Sequence, residues 1–212
     1  MASETKVNYH ELRLADMESL KKIGLEAYPH KFNSTGFPLI STTRCIEKFD
    51  HIEAGTHLTD EVAVLGRLYS IRSSSKNLFF FDLLDEGKKV QIMANKREYH
   101  GSEREGTECT EEEHAVRNTL LFRTITKVMH AGDYIGVCGK ICKTRLGELS
   151  IIPRYMQLVS PCLHQVPRGE RTLDDGTKVN GLNSLDVRYR QRYLDMIVND
   201  NVRNIFVTRS RI

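Results

Sequence analysis

The 212-residue sequence lacks the features of membrane, secreted and zinc-binding proteins. It has no apolar run of about 18 residues, so no transmembrane helix is expected. Its N-terminus, MASETKVNYHELRL, has no apolar core of the kind that a signal peptide needs. The five cysteines form no CxxC pair, and the eight histidines show no HExxH or similar spacing. These absences argue against a disulfide framework and a metal site, and they predict a cytoplasmic protein with reduced thiols.

A strong charge of one sign is also lacking. With 31 Lys and Arg against 28 Asp and Glu, the net charge of +3 is too small to establish nucleic-acid binding by itself. The length is enough for one good domain with accessory elements, and the charged fraction of 28% is ordinary for a globular protein. A binding partner must therefore be inferred from the local arrangement of aromatic, polar and basic residues.

The most informative stretch is residues 77–94, NLFFFDLLDEGKKVQIMA, which predicts two strands joined by a tight turn at DEG. Because successive side chains of a strand point to opposite faces, Phe79 and Phe81 share one face and Phe80 takes the other. If the first two lie in the core, Phe80 is an outward ring on which a base can stack. Gln91 on the partner strand then brings an amide that can bond a base edge. The alternative is that all three rings lie in the core and that Gln91 is solvated.

Three predicted strands, a helix and two further strands follow one another along the chain. Gly66 in the first strand indicates a bulge or a sharp bend. This order predicts a mainly β fold with flanking helices: an OB-fold, the five-stranded Greek-key barrel with a helix between strands three and four. A β-sandwich would need more strands. The predicted elements are strands at 60–72, 78–84 and 90–95, a helix at 114–129, and strands at 134–142 and 148–159.

OB-folds bind oligonucleotides on the face of strands two and three and through the first-second and fourth-fifth loops. Phe80 and Gln91 fall on that face. The serine-rich loop 73–77 and a basic hairpin after the fourth strand fall in the two loops. The predicted supporting basic contacts are Lys76, Lys140, Lys143 and Arg145.

Helices and linkers flank the predicted barrel. A helix at 8–24 has an apolar stripe of Leu12, Leu20 and Ile23, and its basic residues, Arg13 among them, form either a solvated face or a surface for a polyanion. Other predicted elements are a proline-bounded linker at 27–38, a helix at 42–49 capped by Ser41, and helices at 184–200 and 201–212. The predicted organisation is an N-terminal extension and linker at 1–56, the OB-fold at 57–160, a linker at 161–183 and the first helices of a further domain at 184–212.

Six segments, in order along the chain, carry a resemblance to a known family: YPHKF, HLTD, VQIMAN, GELSIIP, SPCLH and RYRQRYLDMIVND. Together they resemble the N-terminal region of class II lysyl-tRNA synthetase, and YPHKF resembles the eukaryotic type. Aspartyl and asparaginyl enzymes share the same barrel, but the spelling RYRQRYLD favours the lysyl enzyme. The last segment resembles the entry to the catalytic domain.

The resemblance implies that the full enzyme activates lysine with ATP and Mg²⁺, esterifies it to tRNA(Lys) and forms a homodimer. It also implies that the barrel recognises an anticodon rich in uridine. By position, Phe80 matches the aromatic that stacks on an anticodon base, Gln91 matches the amide that contacts the middle uridine, and Glu148 matches a carboxylate that contacts a base. Arg72 approximates a basic position before the first loop. Glu148 has an alternative role as a strand-start residue paired with Lys140 or Lys143.

The helix predicted at 201–212 is expected to be still running at Ile212, and the resemblance implies that the first class-defining motif of the family begins there. We therefore expect this chain to contain no catalytic residue and no cofactor, and to be unable to aminoacylate alone. This sequence departs from the family pattern at two places. The stretch from about 100 to 113 is longer than expected, and the lysine-rich N-terminal extension is short or absent.

Two other classes of function compete with this one. The chain could be a stand-alone OB-type module for single-stranded nucleic acid, which would bind any pyrimidine strand equally. It could also be a protein-interaction module that docks scaffold proteins, with binding that is insensitive to salt and to Phe80→Ala. No membrane partner is expected.

Overall fold

The structure is a computed structural model that describes residues 8–34, 36–101, 111–167, 171–172, 178–179 and 181–212. Contacts between residues divide the chain into two compact units, Met1–His164 and Gln165–Ile212. Among the residues described, no helix is long and apolar enough to cross a membrane. Most of the insertion expected at 100–113 lies outside the described residues.

A five-stranded barrel forms the body of the first unit, and its element order confirms the predicted OB-fold. The strands are hydrogen-bonded in the order β1-β2-β3-β5-β4, and the pairing of β1 with β4 closes the barrel. β3 and β5 run parallel and are joined by two residue pairs, Gln91 with Ser150 and Ile92 with Ile151. The elements are α1 (Tyr9–Lys22), α2 (Thr42–Phe49), β1 (His57–Ser75), β2 (Leu78–Asp85), β3 (Lys88–Asn95), a 3₁₀-helix (Lys96–Glu98), α3 (Glu111–Val128), β4 (Tyr134–Lys143) and β5 (Leu149–Ser160).

The core inside the barrel follows the alternation of β2 and β3. Phe81 is fully buried, and the Phe79 ring packs against it with a centroid distance of 6.2 Å. The ring of Phe122 on α3 meets Phe79 at 6.0 Å and closes the end of this aromatic stack. The prediction that Phe79 and Phe81 share the core face is therefore confirmed, and Phe80 lies on the opposite face of β2.

β1 differs from its prediction in length and in the position of its bulge. It has 19 residues and pairs with β2 as far as Ser75, so the loop predicted at 73–77 is reduced to a turn at Lys76 and Asn77. Serine has little preference for strands, but pairing with an aromatic strand decides its conformation here. Its register with β2 shifts at two places, between Leu68 and Ser70 and between Ser73 and Ser75. Gly66 keeps its register, and a Cβ there would lie 2.8 Å from Cγ of Leu83. Gly66 therefore permits close packing rather than a bend.

The described residues of the predicted linker at 27–38 form no helix or strand and join α1 to α2, in line with the prediction. Residues 31–34 and 36–40, here called the strap, nevertheless bind the outside of the barrel. Ile40 N donates to Ala63 O at 2.9 Å, and Ala63 N donates to Pro38 O at 3.0 Å. The rings of Phe32 and Phe37 pack against a small cluster on the outer face. The strap thus covers β1, β4 and β5 from outside. That cluster is Ala63, Cys138 and Tyr155.

Two glycines of β4 lie too close to neighbouring residues to accept a side chain. A Cβ on Gly139 would lie 2.0 Å from the carbonyl oxygen of Ile152, and one on Gly136 would lie 2.3 Å from the ring of Phe32. We expect Gly139→Ala to lower the free energy of unfolding by about 1–3 kcal/mol, because two paired backbones must separate. Gly136→Ala is the matched variant and should cost less, since a ring of the strap turns away more easily than a strand. Urea denaturation compares the two, and equal losses would contradict this difference in rigidity.

Leu20 and Ile23 of the predicted stripe pack in or against the core, but the inner face of α1 is polar at its centre. Arg13 is fully buried beside Met17 and Leu20, whereas Leu12 is 39% exposed. Arg13 Nη2 donates to both carboxylate oxygens of Asp133, at 2.7 and 2.8 Å. The same guanidinium donates to the backbone oxygens of Val128 and Cys162. Arg13 is therefore neither solvated nor part of a polyanion surface.

The described residues of the second unit form a short strand pair and three helices. The helix predicted at 184–200 is interrupted at Gln191, where φ is −115° and ψ is 59°. Ser184 is its cap, as predicted, accepting from Val187 N at 3.5 Å. Arg188 Nε donates to the buried carboxylate of Asp195 at 3.0 Å and joins the two halves. The elements are β6 (Arg171–Thr172), β7 (Lys178–Val179), α4 (Leu185–Arg190), α5 (Arg192–Val198) and α6 (Asp200–Arg209).

Candidate nucleic-acid interface

The outward face of β1, β2 and β3 gathers the principal residues predicted from the sequence. In the register of the sheet, Phe80 stands between Arg72 on β1 and Met93 on β3. Phe80 is partly exposed, and the Arg72 side chain is 57% exposed. Because Phe79 and Phe81 are committed to the core, the chain alternation leaves the Phe80 ring on the outer surface, beside a guanidinium.

Gln91 lies one step along the same face, with its amide held at both ends. Its Nε2 donates to Glu148 Oε2 at 2.7 Å, and its Oε1 accepts from Ser150 Oγ at 2.9 Å. An ionised carboxylate can only accept, so the nitrogen end of the amide faces Glu148. Gln91 is only 4% exposed, and the alternative that it is a solvated position is therefore wrong.

Glu148 immediately precedes β5 and is the exposed member of this pair, with 42% of its side chain accessible. Its backbone is fixed by a reciprocal contact with Thr144: Glu148 N donates to Thr144 Oγ1 at 3.0 Å, and Thr144 N donates to Glu148 O at 2.9 Å. Its carboxylate lies 3.9 Å from Lys89 Nζ. The alternative pairing with Lys140 or Lys143 is not seen among the described ion pairs.

Asp82 and Lys89 belong to the same face and were missed by the sequence analysis. Asp82 Oδ2 accepts from Ser70 Oγ at 2.6 Å, and Oδ1 lies 3.4 Å from Arg72 Nη2 and 3.7 Å from Lys89 Nζ. The signal was present, because alternation puts both residues on the side of Phe80 and Gln91. The face thus carries a connected polar cluster beside one aromatic ring. The polar cluster consists of Ser70, Arg72, Asp82, Lys89, Gln91, Glu148 and Ser150.

Two of the four predicted supporting residues remain accessible near the binding loops. Lys76 is exposed in the two-residue turn between β1 and β2, and Arg145 is exposed in the β4–β5 hairpin. The side chain next to Arg145 is Leu146, which is almost fully exposed. Both cations are available to a ligand that spans the loops.

The other two supporting residues are placed elsewhere by the structure. Lys143 Nζ donates to the backbone oxygen of Asp50 and lies 3.3 Å from its carboxylate, with 15% of the lysine side chain exposed. Lys140 is opposite Glu61 of β1 and lines a separate depression between β1, β4 and β5. Neither is brought to the face that carries Phe80.

Comparison with known proteins agrees with this geometry. Residues 62–159 match a family described as an OB-fold nucleic acid binding domain, of the tRNA anti-codon type. The lysine–tRNA ligase of Methanospirillum hungatei is 33% identical over 213 residues, covering 100% of this chain and 35% of that protein. The ligase of Moorella thermoacetica is 34% identical over 212 residues, covering 100% and 36%, respectively. This chain carries an OB-fold anticodon-binding domain that matches lysine–tRNA ligases.

The match to the anticodon-binding domain spans the whole polar cluster and Phe80. The lysine–tRNA ligase of Prochlorococcus marinus strain MIT 9312 is 33% identical over 201 residues, covering 95% of the chain and 34% of that protein. The chain thus spans about a third of the length of the curated relatives it matches. The roles of individual residues, and the eukaryotic type, stay predictions.

Proposed function

We propose that the anticodon-binding domain of this chain binds the uridine-rich anticodon of tRNA(Lys), within a cytoplasmic lysine–tRNA ligase. The observation that carries this proposal is the single outward face on which an aromatic ring adjoins a fixed amide–carboxylate pair. Single-stranded RNA loops are recognised in this way, by stacking of splayed bases on aromatic rings and by hydrogen bonds to base edges.

Phe80 supplies the stacking surface, and Arg72 supplies a cation at its edge. One base stacked on an aromatic side chain contributes about 1–3 kcal/mol. The Arg72 guanidinium is held loosely by Asp82, at 3.4 Å, so it can also approach a phosphate. A base stacked on Phe80 would therefore bring its phosphate close to the positive charge of Arg72.

The amide–carboxylate pair supplies selectivity for uracil. A uracil edge presents one N–H donor between carbonyl acceptors, and the exposed Glu148 carboxylate can accept from that donor. Gln91 keeps a second amide hydrogen for a carbonyl. Cytosine presents an unprotonated ring nitrogen at the same place, and its lone pair would face the Glu148 carboxylate. The pair therefore favours uridine over cytidine at the position that it contacts.

We propose the ligation of lysine to tRNA(Lys) for the whole enzyme, of which this chain provides the tRNA-binding domain. In the relatives' class of enzyme, ATP and Mg²⁺ support lysine activation. In the described part of this chain, no group of three or more His, Cys, Asp or Glu side chains is placed to hold a metal ion. We propose that this chain contributes tRNA binding, without aminoacylation of its own, and that homodimer and scaffold contacts serve the whole enzyme.

The proposal is tested by binding of the 212-residue chain to the tRNA(Lys) anticodon stem-loop and to a loop with cytidine at the middle position. We expect the uridine loop to bind about tenfold more tightly, which corresponds to about 1.4 kcal/mol. Gln91→Ala should remove most of that preference, since it removes the amide that orients Glu148. Fluorescence anisotropy with labelled loops gives both affinities.

The matched control for this variant is Gln157→Ala. Gln157 bonds Asn33 of the strap at 2.9 Å and lies outside the polar cluster, so its loss should leave the base preference unchanged. Equal binding of both loops by the unmodified chain would instead support a general single-strand module. Salt-insensitive binding would support a protein-interaction module.

A further inference from the structure

We infer that Lys89 is a positioning residue for base selectivity, holding the free oxygen of the Glu148 carboxylate while Gln91 holds the other. This inference deepens the proposed function and rests on it. No role for Lys89 follows from the family match itself. It follows from the position of the ammonium between two carboxylates on the face that carries Phe80.

The geometry places Lys89 between the two acidic side chains of the polar cluster. Its Nζ lies 3.7 Å from Asp82 Oδ1 and 3.9 Å from Glu148 Oε1. The second oxygen of Glu148, Oε2, accepts from Gln91 at 2.7 Å. One carboxylate oxygen of Glu148 is therefore hydrogen-bonded to Gln91, the other lies at ion-pair distance from Lys89, and 42% of the side chain remains accessible to a base.

Charge balance within the cluster gives Lys89 a second effect. Arg72 and Lys89 offset Asp82 and Glu148, so the cluster is neutral as a whole. In the part of the chain that the structure describes, Arg72 forms its ion pair with Asp82, whereas Lys89 is the cation that lies opposite Glu148. Without Lys89, an unpaired carboxylate would stand beside the phosphates of an RNA ligand and would repel them.

These ion pairs contribute little to folding, which makes the inference testable. The side chains of Lys89 and Glu148 are 48% and 42% exposed, and exposed ion pairs of this kind have small effects on stability. A Lys89 variant should therefore fold normally, and its binding can be compared directly with that of the unmodified chain.

The experiment measures binding of the uridine and cytidine loops to the 212-residue chain and to its Lys89→Met and Lys89→Arg variants. We expect Lys89→Met to weaken binding of the uridine loop about tenfold and that of the cytidine loop about threefold, so that the preference falls. Lys89→Arg keeps the charge and should keep most of the preference. Lys88→Met is the matched control, because Lys88 is exposed on the same strand but has opposite side-chain parity.

A direct phosphate contact by Lys89 predicts a different result. Both loops would then weaken by the same factor, and the slope of log K against log salt would fall by about 0.7. That result, or an unchanged preference in Lys89→Met, would overturn the inference. If the unmodified chain itself shows no preference between the loops, the proposed function fails. If the unmodified chain shows the preference and Lys89→Met keeps it, the inference alone fails, so the two failures are distinguishable.

Discussion

Replacing Arg13 with methionine is expected to lower the free energy of unfolding by about 3–5 kcal/mol. The substitution leaves the Asp133 carboxylate fully buried without the guanidinium that donates to both of its oxygens. It also removes donors to the backbone oxygens of Val128 and Cys162. Urea denaturation followed by far-UV circular dichroism measures the loss.

The pH dependence of this loss has a defined sign. Burial raises the pKa of Asp133, against the backbone amides of Cys162 and His130 and the charge of Arg13, which lower it. Without Arg13 the folded-state pKa rises further. A carboxyl whose folded pKa is raised contributes stability that is present at low pH and is lost as pH rises through that value. The deficit of Arg13→Met should therefore be larger at about pH 8 than at about pH 5.

The matched control is Lys21→Met, in the last turn of the same helix. Lys21 is exposed, so its loss should change the free energy of unfolding by less than about 0.5 kcal/mol. If Arg13→Met and Lys21→Met lower the free energy of unfolding by similar amounts, the buried ion pair has no special role in attaching α1. A deficit for Arg13→Met that does not vary with pH would contradict an uncompensated charge on Asp133.

Phe80→Ala is expected to weaken binding of the anticodon stem-loop by about 1–3 kcal/mol, which is about 5- to 150-fold. The ring is the aromatic side chain that alternation places outward from β2, beside the polar cluster. Stacking involves no counterion release, so the factor should be nearly the same at low and high salt. Anisotropy titrations at two salt concentrations measure it.

Two variants separate stacking from charge. Phe80→Trp keeps an aromatic surface and should retain most of the affinity. Lys76→Met, in the exposed β1–β2 turn, should weaken binding mainly at low salt and reduce the salt dependence. Unchanged binding by Phe80→Ala would move the RNA site away from β2 and would favour the protein-interaction function.

Local patterns were sufficient for the barrel and for its aromatic face. The alternation of Phe79, Phe80 and Phe81 follows from strand geometry alone, and the structure places the first and third rings in the core as predicted. The Ser41 cap and the DEG turn are also local signals, and the structure contains both. Elements whose conformation depends on neighbours in sequence are therefore the ones that the sequence analysis placed correctly.

Burial of polar side chains could not be predicted, because the partners are distant in sequence. Arg13 has the composition signal of a solvated helix face, but its partner Asp133 is 120 residues away. Gln91 alternates with core residues and so falls on the outer face, but Glu148, 57 residues away, folds over it. Neither contact leaves a trace in the periodicity of its own segment.

The strap and the end of β1 were missed for a related reason. Pro, Ser and Gly residues indicate a loop, but they do not indicate whether that loop packs against the rest of the fold. The strap is irregular, yet Pro38 and Ile40 bond the edge residue Ala63, and Phe32 fills the space above Gly136. Tertiary contacts therefore fix segments whose composition is typical of linkers.

The two residue pairs that join β3 to β5 make this the shortest ladder among the five strands of the barrel. Side chains supplement it: the Gln91 amide bridges to Glu148 and Ser150 across the same junction. An RNA base bound by these groups would contact β3 and the start of β5 together, and would add a link between the first three strands and the last two. Any redesign of base preference at Gln91 or Glu148 therefore also changes the side-chain bonds that reinforce the junction of β3 and β5, and with them the stability of the barrel closure.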